Sequence, residues 1–244
     1  MLQWRIGPAR HRAAAREKLP GPDYYEVLSW IHSILKPGNY LEIGVADGKS
    51  IRNAKSTTRC IGIDPHPGRD ARVPLANVTL FQMTSDEYFQ KHAPPNLCID
   101  LAFLDGLHRF SQTLRDLEHL EPFLAKHSVV LIHDCLPLDA RTASPRRKSL
   151  FWSGDIWKIV PYLYIHRPDL SLGIVRTPPT GLGIVTGFGS NHEKTPVARE
   201  IVSQMERLDF EYWNRFQPTF KGYLANTREA VSAYLRAQQV SLTV

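Results

Sequence analysis

The sequence predicts an α/β fold with a mostly parallel β-sheet, and three observations lead to it. Short apolar runs alternate with amphipathic helical patterns, which is typical of parallel strands joined by helical crossovers. Each of five such runs ends in a polar or glycine-containing turn, as buried strands do. Two later β-branched runs are joined by only four residues and must therefore pair as an antiparallel hairpin. The parallel strands are expected at 40–45, 60–64, 78–83, 99–105 and 128–134, and the hairpin strands at 170–176 and 181–188.

Helices between these strands are predicted from apolar spacing and from capping residues. Residues 24–35 carry apolar side chains on one helical face, with Asp23 placed as the N-cap. Apolar residues at steps of three or four predict a helix over 110–124. Ser85, at the end of the third strand, is expected to cap a second crossover helix, and 154–166 is expected to form a third.

The C-terminal part is predicted to add two helices to the same domain. Thr195 and Pro196 are expected to begin the first helix, and Asn226 opens the second with Glu229 three residues further on. Because no linker composition interrupts the chain, all 244 residues are predicted to form a single domain. Its core is expected at 23–190, between a basic N-terminal extension, 1–22, and a helical C-terminal extension, 191–244.

Composition excludes the disordered, fibrous and membrane-spanning classes. Apolar residues make up 43% of the chain and charged residues 22%, which is normal for a globular domain. The longest apolar run, 129–132, is too short for a membrane span, and the first 20 residues lack the apolar stretch of a secretory signal. Three widely spaced cysteines without a CxxC pair predict a reduced, cytoplasmic protein. The net charge of +6 permits an acidic partner without requiring one.

A glycine turn follows the first strand, at the sheet edge where ligands of parallel sheets bind. It covers residues 42–48, with glycines at Gly44 and Gly48. It is not GxGxxG, because Ala46 occupies the middle glycine position. Nor is it GxxxxGK[ST], because the two glycines are one residue too close. A dinucleotide or a nucleoside triphosphate is therefore disfavoured.

Two carboxylates accompany this turn. Asp64 ends the second strand twenty residues after Gly44, where a carboxylate can accept hydrogen bonds from both hydroxyls of a ribose. Glu42 lies in the turn itself. Together they favour a cationic or neutral nucleoside over a pyrophosphate, which two carboxylates would repel. The alternative interpretation is that both are ordinary strand-end caps.

Four motifs in order resemble those of the class I S-adenosylmethionine-dependent methyltransferases: the turn at 42–48, Asp64, Ser85 with Asp86, and the segment 103–108. The resemblance extends over residues 23–190 and is greatest to small-molecule O-methyltransferases of the catechol and macrolide-sugar types. It implies a Rossmann-like, doubly wound sheet of seven strands, the last two antiparallel, with helices on both faces.

The resemblance also implies how the cofactor, S-adenosyl-L-methionine, is bound. Gly44, Val45 and Gly48 would line its methionine part, Asp64 would hold the ribose, and Ser85 with Asp86 would flank the adenine. Glu42 and Asp105 complete the predicted cofactor-binding residues.

Polar clusters follow the fourth and fifth strands, at 105–108 and 133–135, and neighbouring parallel strands would bring them side by side. A histidine there suits removal of a proton from a methyl acceptor. In the resembling catechol-type enzymes, carboxylates at the positions of Asp105 and Asp134 bind a divalent cation such as Mg²⁺, and the residue at the position of His108 is the general base. That base is a lysine in those enzymes, and Cys135 stands where they have an asparagine ligand. The alternative roles are that His108 caps the next helix or bonds Asp134, and that His133 is a core histidine.

The leading functional hypothesis is an enzyme that methylates a hydroxyl of a small polar acceptor, such as a sugar or a glycosylated metabolite. A nucleic-acid methyltransferase and a non-catalytic S-adenosylmethionine-binding module are the alternatives. The scattered basic residues and the absence of an Asn/Asp-Pro-Pro-aromatic motif argue against nucleic acid. The expected partner is therefore the small-molecule acceptor, and assembly into a homo-oligomer is left open.

Overall fold

The computed structural model describes residues 2–72, 75–189 and 199–238. Its centre is an eight-stranded sheet in the order β3-β2-β1-β4-β5-β7-β6-β8. The strands are β1 (Asn39–Ile43), β2 (Arg59–Ile63), β3 (Val78–Phe81), β4 (Ile99–Leu104), β5 (Leu124–His133), β6 (Ser171–Val175), β7 (Leu182–Thr186) and β8 (Tyr223–Leu224). Strands β1 to β5 pair in parallel, whereas β7 runs antiparallel to both β5 and β6. The predicted fold class and its hairpin are confirmed.

Helices cover both faces of the sheet. They are α1 (Leu2–Lys18), α2 (Tyr24–Leu35), α3 (Ser85–Lys91), α4 (Phe110–Leu120), α5 (Ile159–His166), α6 (Arg199–Glu206), α7 (Phe210–Phe216) and α8 (Arg228–Ala237). Successive strand residues pack on opposite faces, so that Leu101 and Phe103 meet the face of α2 and α8, while Ala102 and Leu104 meet the face of α4 and α5. This alternation makes β4 buried on both sides and sets it in the middle of the molecule.

Strand number and tail helices differ from the sequence prediction. The sheet has eight strands because Tyr223 and Leu224 pair in parallel with Ile174 and Val175 of β6. The tail has α7 in addition to the two predicted helices, and this helix of only seven residues is too short for periodicity to identify. The predicted start of the first tail helix, Thr195 and Pro196, lies outside the described residues.

Two predicted caps are wrong by one residue. Thr84 caps α3, and its hydroxyl and the Glu87 carboxylate form a capping box, so Ser85 is the first helical residue. Thr227 caps α8, whereas the Asn226 amide donates to the carbonyls of Pro20 and Pro22. Because neither Ser85 nor Asn226 is the N-cap, each side chain makes a tertiary contact instead.

Helix bounds also differ. The helix predicted over 110–124 ends at Leu120 and continues as one 3₁₀ turn before β5. The helix predicted over 154–166 begins as a 3₁₀ turn at Ile156–Lys158. The basic N-terminal stretch contains α1, which apolar spacing does not reveal; its alanine- and arginine-rich residues 9–18 favour a helix by intrinsic propensity. No helix among the described residues is long and apolar enough to cross a membrane.

The strand register brings the carboxyl ends of the central strands to one edge of the sheet. Backbone pairing continues past the strands, since the Gly44 amide donates to Ile63 at 2.9 Å and the Asp105 amide donates to Ile43 at 2.9 Å. The residues that follow β1, β2, β4 and β5 therefore lie next to one another. This edge, at the switch between β1 and β4, is where doubly wound sheets bind ligands.

Candidate functional site

The glycine turn after β1 fits closely against its neighbours. Gly44 has a φ of +89°, and a Cβ there would lie 2.1 Å from the backbone oxygen of Asp105. Gly48 has a φ of +77°, and its Cβ would lie 3.1 Å from Cα of Ala71. The Val45 side chain is buried in the core and only its backbone faces the turn, where its carbonyl accepts from the Gly48 amide at 2.8 Å. Glycine is thus required here by contacts within the protein.

Asp64 shapes the same turn. Its two carboxylate oxygens accept from the backbone amides of Ala46 at 2.8 Å and of His66 at 2.7 Å. A carboxylate oxygen has two lone pairs, so each can accept one further hydrogen bond. Asp64, at the end of β2, is 9% exposed.

Glu42 is fully buried on β1. Its oxygens accept from the hydroxyls of Tyr40 at 2.6 Å and Ser50 at 2.5 Å. Burial raises the pKa of Glu42 to about 8; the two hydroxyls oppose the shift, and the charges of Asp105 and Asp64 add to it. Three carboxylates therefore crowd one edge of the sheet, an arrangement that a cationic ligand would relieve.

We expect the contribution of Glu42 to the free energy of unfolding to decrease as the pH rises from about 4.5 to about 8. The folded state binds the Glu42 proton more tightly than the unfolded state, so deprotonation favours unfolding. Glu42→Gln removes this titration and should flatten the pH dependence of the free energy of unfolding, measured by urea denaturation at pH 5 and pH 8. Glu229→Gln, at an exposed position, is the control and should leave the wild-type slope unchanged.

The two residues predicted to flank the adenine are engaged with α4. The Ser85 hydroxyl donates to the buried Asp116 carboxylate at 2.6 Å. Asp86 pairs with Arg115 at 2.9 Å and accepts from the Gln112 amide at 3.2 Å. Both therefore stand at the expected strand edge, with side chains that also tie α3 to α4.

Two carboxylates and two imidazoles form a compact cluster after β4 and β5. Nδ1 of His108 lies 2.6 Å from Oδ2 of Asp134, and its Nε2 lies 3.7 Å from Oδ1 of Asp105. Nδ1 of His133 lies 3.2 Å from Oδ1 of Asp105 and 3.6 Å from Oδ1 of Asp134. Each imidazole thus bridges both carboxylates, and the sequence prediction that these side chains meet is correct.

The charges in this cluster stabilise one another. Burial by itself lowers the pKa of His108, but Asp134 and Asp105 outweigh it and raise the pKa to about 9. The pKa of Asp134 is lowered, because His133 and His108 outweigh the effect of its burial. The side chain of His108 is 28% exposed and that of Asp134 only 4%, so His108 is the member that a substrate can reach.

Backbone strain is concentrated in the same place. His108, Asp134 and Ala46 all have positive φ, at 56°, 63° and 46°, although none is glycine. Such conformations cost about 1–3 kcal/mol each and are typical of functional sites. Gly154 packs directly against the His108 backbone, since a Cβ at Gly154 would lie 1.8 Å from the His108 carbonyl oxygen.

Three further side chains complete the site, and the sequence analysis did not identify them. The Tyr24 ring packs 4.1 Å from the His133 ring, the Trp152 ring stacks 5.5 Å from the His108 ring, and Thr180 donates to Asp134 at 2.5 Å. Tyr24 was assigned only to an apolar helix face. None of them carries a local signal, because they come from α2 and from loops that tertiary packing brings together.

Two sequence alternatives for individual residues are decided by these contacts. His108 does not cap α4, but it does contact Asp134, at 2.6 Å, as the alternative for this residue expected. The Asp155 carboxylate accepts from the Phe110 amide at 3.0 Å and also pairs with Lys158 at 3.1 Å. Asp155 therefore has a structural role. His133 is buried, as expected for a core histidine, but it contacts the carboxylates of the site.

The divalent cation implied by the resemblance does not fit this arrangement well. One ligand atom from each of Asp105, His108 and Asp134 lies within 4.8 Å of the others, which is compatible with a cation in distance alone. However, imidazole rings occupy the space between the carboxylates, and oxygen ligands are what Mg²⁺ prefers. Cys135 contributes nothing, because its buried thiol donates to the Ile132 carbonyl at 3.3 Å.

Comparison with known proteins agrees with this geometry. Residues 41–135 match the family described as a methyltransferase domain. No curated protein matches the sequence. Solved structures with a similar fold include the O-methyltransferase TomG from Streptomyces achromogenes in complex with S-adenosylmethionine, at 16% identity, covering 75% of this chain and 89% of that one with a TM-score of 0.52.

Two further similar structures contain bound S-adenosylhomocysteine. One is a methyltransferase from Podospora anserina, at 15% identity, covering 75% of this chain and 87% of that one with a TM-score of 0.52. The other is an O-methyltransferase from Bacillus cereus, at 16% identity, covering 71% of this chain and 86% of that one with a TM-score of 0.50. At these identities the likeness establishes the fold alone, and the match over residues 41–135 supports the resemblance to methyltransferases.

Proposed function

We propose that this chain, whose residues 41–135 match the methyltransferase domain family, transfers a methyl group from S-adenosylmethionine to a hydroxyl of a small polar acceptor such as a sugar or a glycosylated metabolite. The observation that carries the proposal is His108, a reachable imidazole held between Asp105 and Asp134. It lies beside the glycine turn, where the donor is expected. A nucleic-acid methyltransferase and a non-catalytic binding module are the competing functions.

Charge at the sheet edge supports a cationic donor. S-adenosylmethionine carries a sulfonium and an ammonium group, and Glu42, Asp64 and Asp105 are close enough that the two aspartate charges raise the pKa of Glu42. The Gly44–Asp105 backbone contact brings the glycine turn within van der Waals distance of the strand end before His108. The methionine part of the donor would lie in the turn, with its ribose at Asp64.

Methyl transfer needs the acceptor oxygen in line with the sulfonium and a base for the hydroxyl proton. With Nδ1 of His108 facing Asp134, its Nε2 is the nitrogen that can accept this proton. The carbon–sulfur bond breaks as the carbon–oxygen bond forms, and sulfur keeps the electron pair. The hydroxyl proton passes to His108, and the products are a methyl ether and S-adenosylhomocysteine.

A divalent cation on Asp105 and Asp134 is the alternative that the resemblance implies, although the imidazoles held against these carboxylates do not fit it well. His133 already bridges the two carboxylates, at 3.2 and 3.6 Å, and supplies compensating charge without a cation. The base proposed above therefore does not depend on a metal.

Calorimetric titration with S-adenosylhomocysteine tests the donor site. Asp64→Ala should weaken binding by about 1.5–3 kcal/mol, or about 10- to 150-fold, because a hydrogen bond to a charged group is lost. Asp70→Ala, an exposed carboxylate of the same loop, should bind like the wild type. Thermal unfolding of both variants separates a lost ligand contact from a disordered turn, since Asp64 also holds the Ala46 amide. No heat with the wild-type protein would sink the proposal.

Acceptor screening separates the three functions. A methyltransferase of small molecules turns over S-adenosylmethionine only with a suitable member of a panel of sugars, catechols and glycosylated metabolites. A binding module takes up the cofactor but shows no turnover with any acceptor. A nucleic-acid enzyme shows a steep dependence of affinity for nucleic acid on salt concentration, which we do not expect.

A further inference from the structure

We propose that the loop before α5 contains an anion-binding subsite, centred on Arg147, that recognises a carboxylate or phosphate group of the acceptor. The inference rests on the proposed function, since it assigns the acceptor's chemical class for the site at His108. The acceptor would then be an anionic hydroxy compound, such as a hydroxy acid or a phosphorylated alcohol.

Three side chains form a stacked column that leads from the protein surface to the base. The Arg147 guanidinium lies 5.9 Å from the centre of the Trp152 ring. The Trp152 ring in turn stacks on the His108 ring, at 5.5 Å and with an angle of 16° between the planes. The positive charge of Arg147 acts to lower the pKa of His108. A cation is therefore fixed at the mouth of the reaction centre.

Hydrogen bonds to loop carbonyls position two members of the column, Trp152 and Arg147. Trp152 donates from its indole Nε1 to the Ser144 carbonyl at 2.6 Å. Arg147 donates to the carbonyls of Ser149 at 3.4 Å and Leu150 at 3.2 Å, through Nε and Nη2. These bonds orient the guanidinium plane and leave its Nη1 without a hydrogen-bond partner in the described part of the chain. An oriented guanidinium is suited to carboxylate and phosphate oxygens.

Further positive charges flank the residues of the column along the chain, with Arg146 and Lys148 on either side of Arg147 and Arg109 after His108. Arg146, Lys148 and Arg109 are exposed, and none of the three has a carboxylate partner among residues 2–72, 75–189 and 199–238. The single acidic residue of the segment 136–152 is Asp139, and its carboxylate accepts from the Arg141 and Thr142 amides. A neutral acceptor would leave these cations without a counter-charge beside the site.

Two exposed leucines are close in the chain to the ends of the column. Leu107 directly precedes His108 and is 60% exposed, and Leu150 follows Arg147 by three residues and is 48% exposed. A small acceptor with an apolar body, an anionic group at Arg147 and a hydroxyl at His108 would contact all three features. This combination favours a small molecule over an extended polyanion, which would bind through charge alone.

An NMR titration that follows the indole N–H signals of the tryptophans with three small probes tests the subsite. Phenyl phosphate and benzoate carry the two candidate anions, and phenol is the neutral control of similar shape. The Trp152 indole signal is assigned with Trp152→Phe. In the wild-type protein we expect it to shift and saturate with at least one anion, at concentrations about tenfold lower than with phenol. Which anion binds more tightly distinguishes a phosphorylated acceptor from a carboxylic acid.

Matched charge variants complete the test. Arg147→Gln should weaken binding of the preferred anion by about 10-fold or more, since hydrogen bonds to a charged group are lost. Arg215→Gln removes the same charge from an exposed side chain on α7 and should bind like the wild type. Equal affinity for phenol and the anions, or an unchanged affinity in Arg147→Gln, would overturn the proposal.

Failure of the subsite and failure of the proposed function give different results. If S-adenosylhomocysteine binds while the anion titrations stay flat, the anionic acceptor is wrong and the donor site stands. If the anions bind at Trp152 while S-adenosylhomocysteine does not, the subsite exists but the methyltransferase assignment is wrong.

Discussion

Replacing His108 by alanine should lower the rate constant of methyl transfer by about 10²–10⁴, the usual contribution of a general base. The imidazole is the exposed member of the cluster and is held by carboxylates on both sides, with Asp134 at 2.6 Å. Affinity for S-adenosylhomocysteine should stay nearly unchanged, because the glycine turn and Asp64 are untouched. The measurement is single-turnover kinetics with an acceptor from the screen, together with calorimetry on the same preparation.

His127→Ala is the matched control, since that histidine lies near the amino end of β5, at the sheet edge opposite the reaction centre. The wild-type rate should rise with pH up to about 9, because only neutral His108 can accept a proton and its carboxylate neighbours raise its pKa to about 9. Asp134→Asn removes one of those charges and should move the midpoint to lower pH. An unchanged rate in His108→Ala would remove the base mechanism.

Chelation distinguishes the base from a bound cation in the same assay. With a saturating chelator, the wild-type rate should persist if the two imidazoles supply the compensating charge. Loss of activity and its recovery with Mg²⁺ or Mn²⁺ would instead support a metal on Asp105 and Asp134. Full activity of His108→Ala with chelator present would leave placement of the acceptor as the only source of catalysis.

Gly44→Ala should lower the free energy of unfolding by about 3 kcal/mol or more. An alanine at this position would need a φ of +89°, and its Cβ would lie 2.1 Å from the Asp105 carbonyl oxygen. The clash is with backbone of the central strand end and cannot be relieved by a side-chain rotation. Urea denaturation of the variant measures the effect.

Gly38→Ala, at the other end of β1, provides the control. Its Cβ would lie 3.3 Å from the carboxylate of Asp100, a tight contact but far from the 2.1 Å overlap at Gly44, so a much smaller loss is expected. A Gly44→Ala variant as stable as Gly38→Ala would mean that the turn has a different conformation in solution. If it folds, its loss of cofactor affinity reports the close approach of donor and backbone.

The fold was predictable because it depends on patterns that the chain repeats. Strands β1 to β5 each contain a short apolar run followed by a polar residue or glycine, and hydrophobic burial on both faces of β4 requires that pattern. The hairpin followed from a four-residue connection, which excludes a parallel crossover. What periodicity could not identify were short or non-amphipathic elements. Helix α7 and strand β8 are too short, and α1 forms by propensity without an apolar stripe.

Half of the candidate site was predictable for the same reason. Asp64, Asp105 and Asp134 follow buried strands, and parallel pairing carries strand ends to one edge whatever the loops do. The sequence also placed His108 close to Asp134. It could not assign Tyr24 and Trp152, which reach the histidines from α2 and from a loop far along the chain.

By itself, the sequence determined which residue types stand at the ends of the strands, because alternation of burial along a strand and the direction of pairing are local and cooperative properties. Only the tertiary structure decided how those residues are used. His133 lies between the two carboxylates, and the Cys135 thiol points into the core. Asp155 binds the first amide of α4, and Trp152 stacks on His108 with Arg147 over its ring. The physical reason is that a side chain's partners depend on loop paths and packing, which side-chain chemistry and spacing along the chain do not specify.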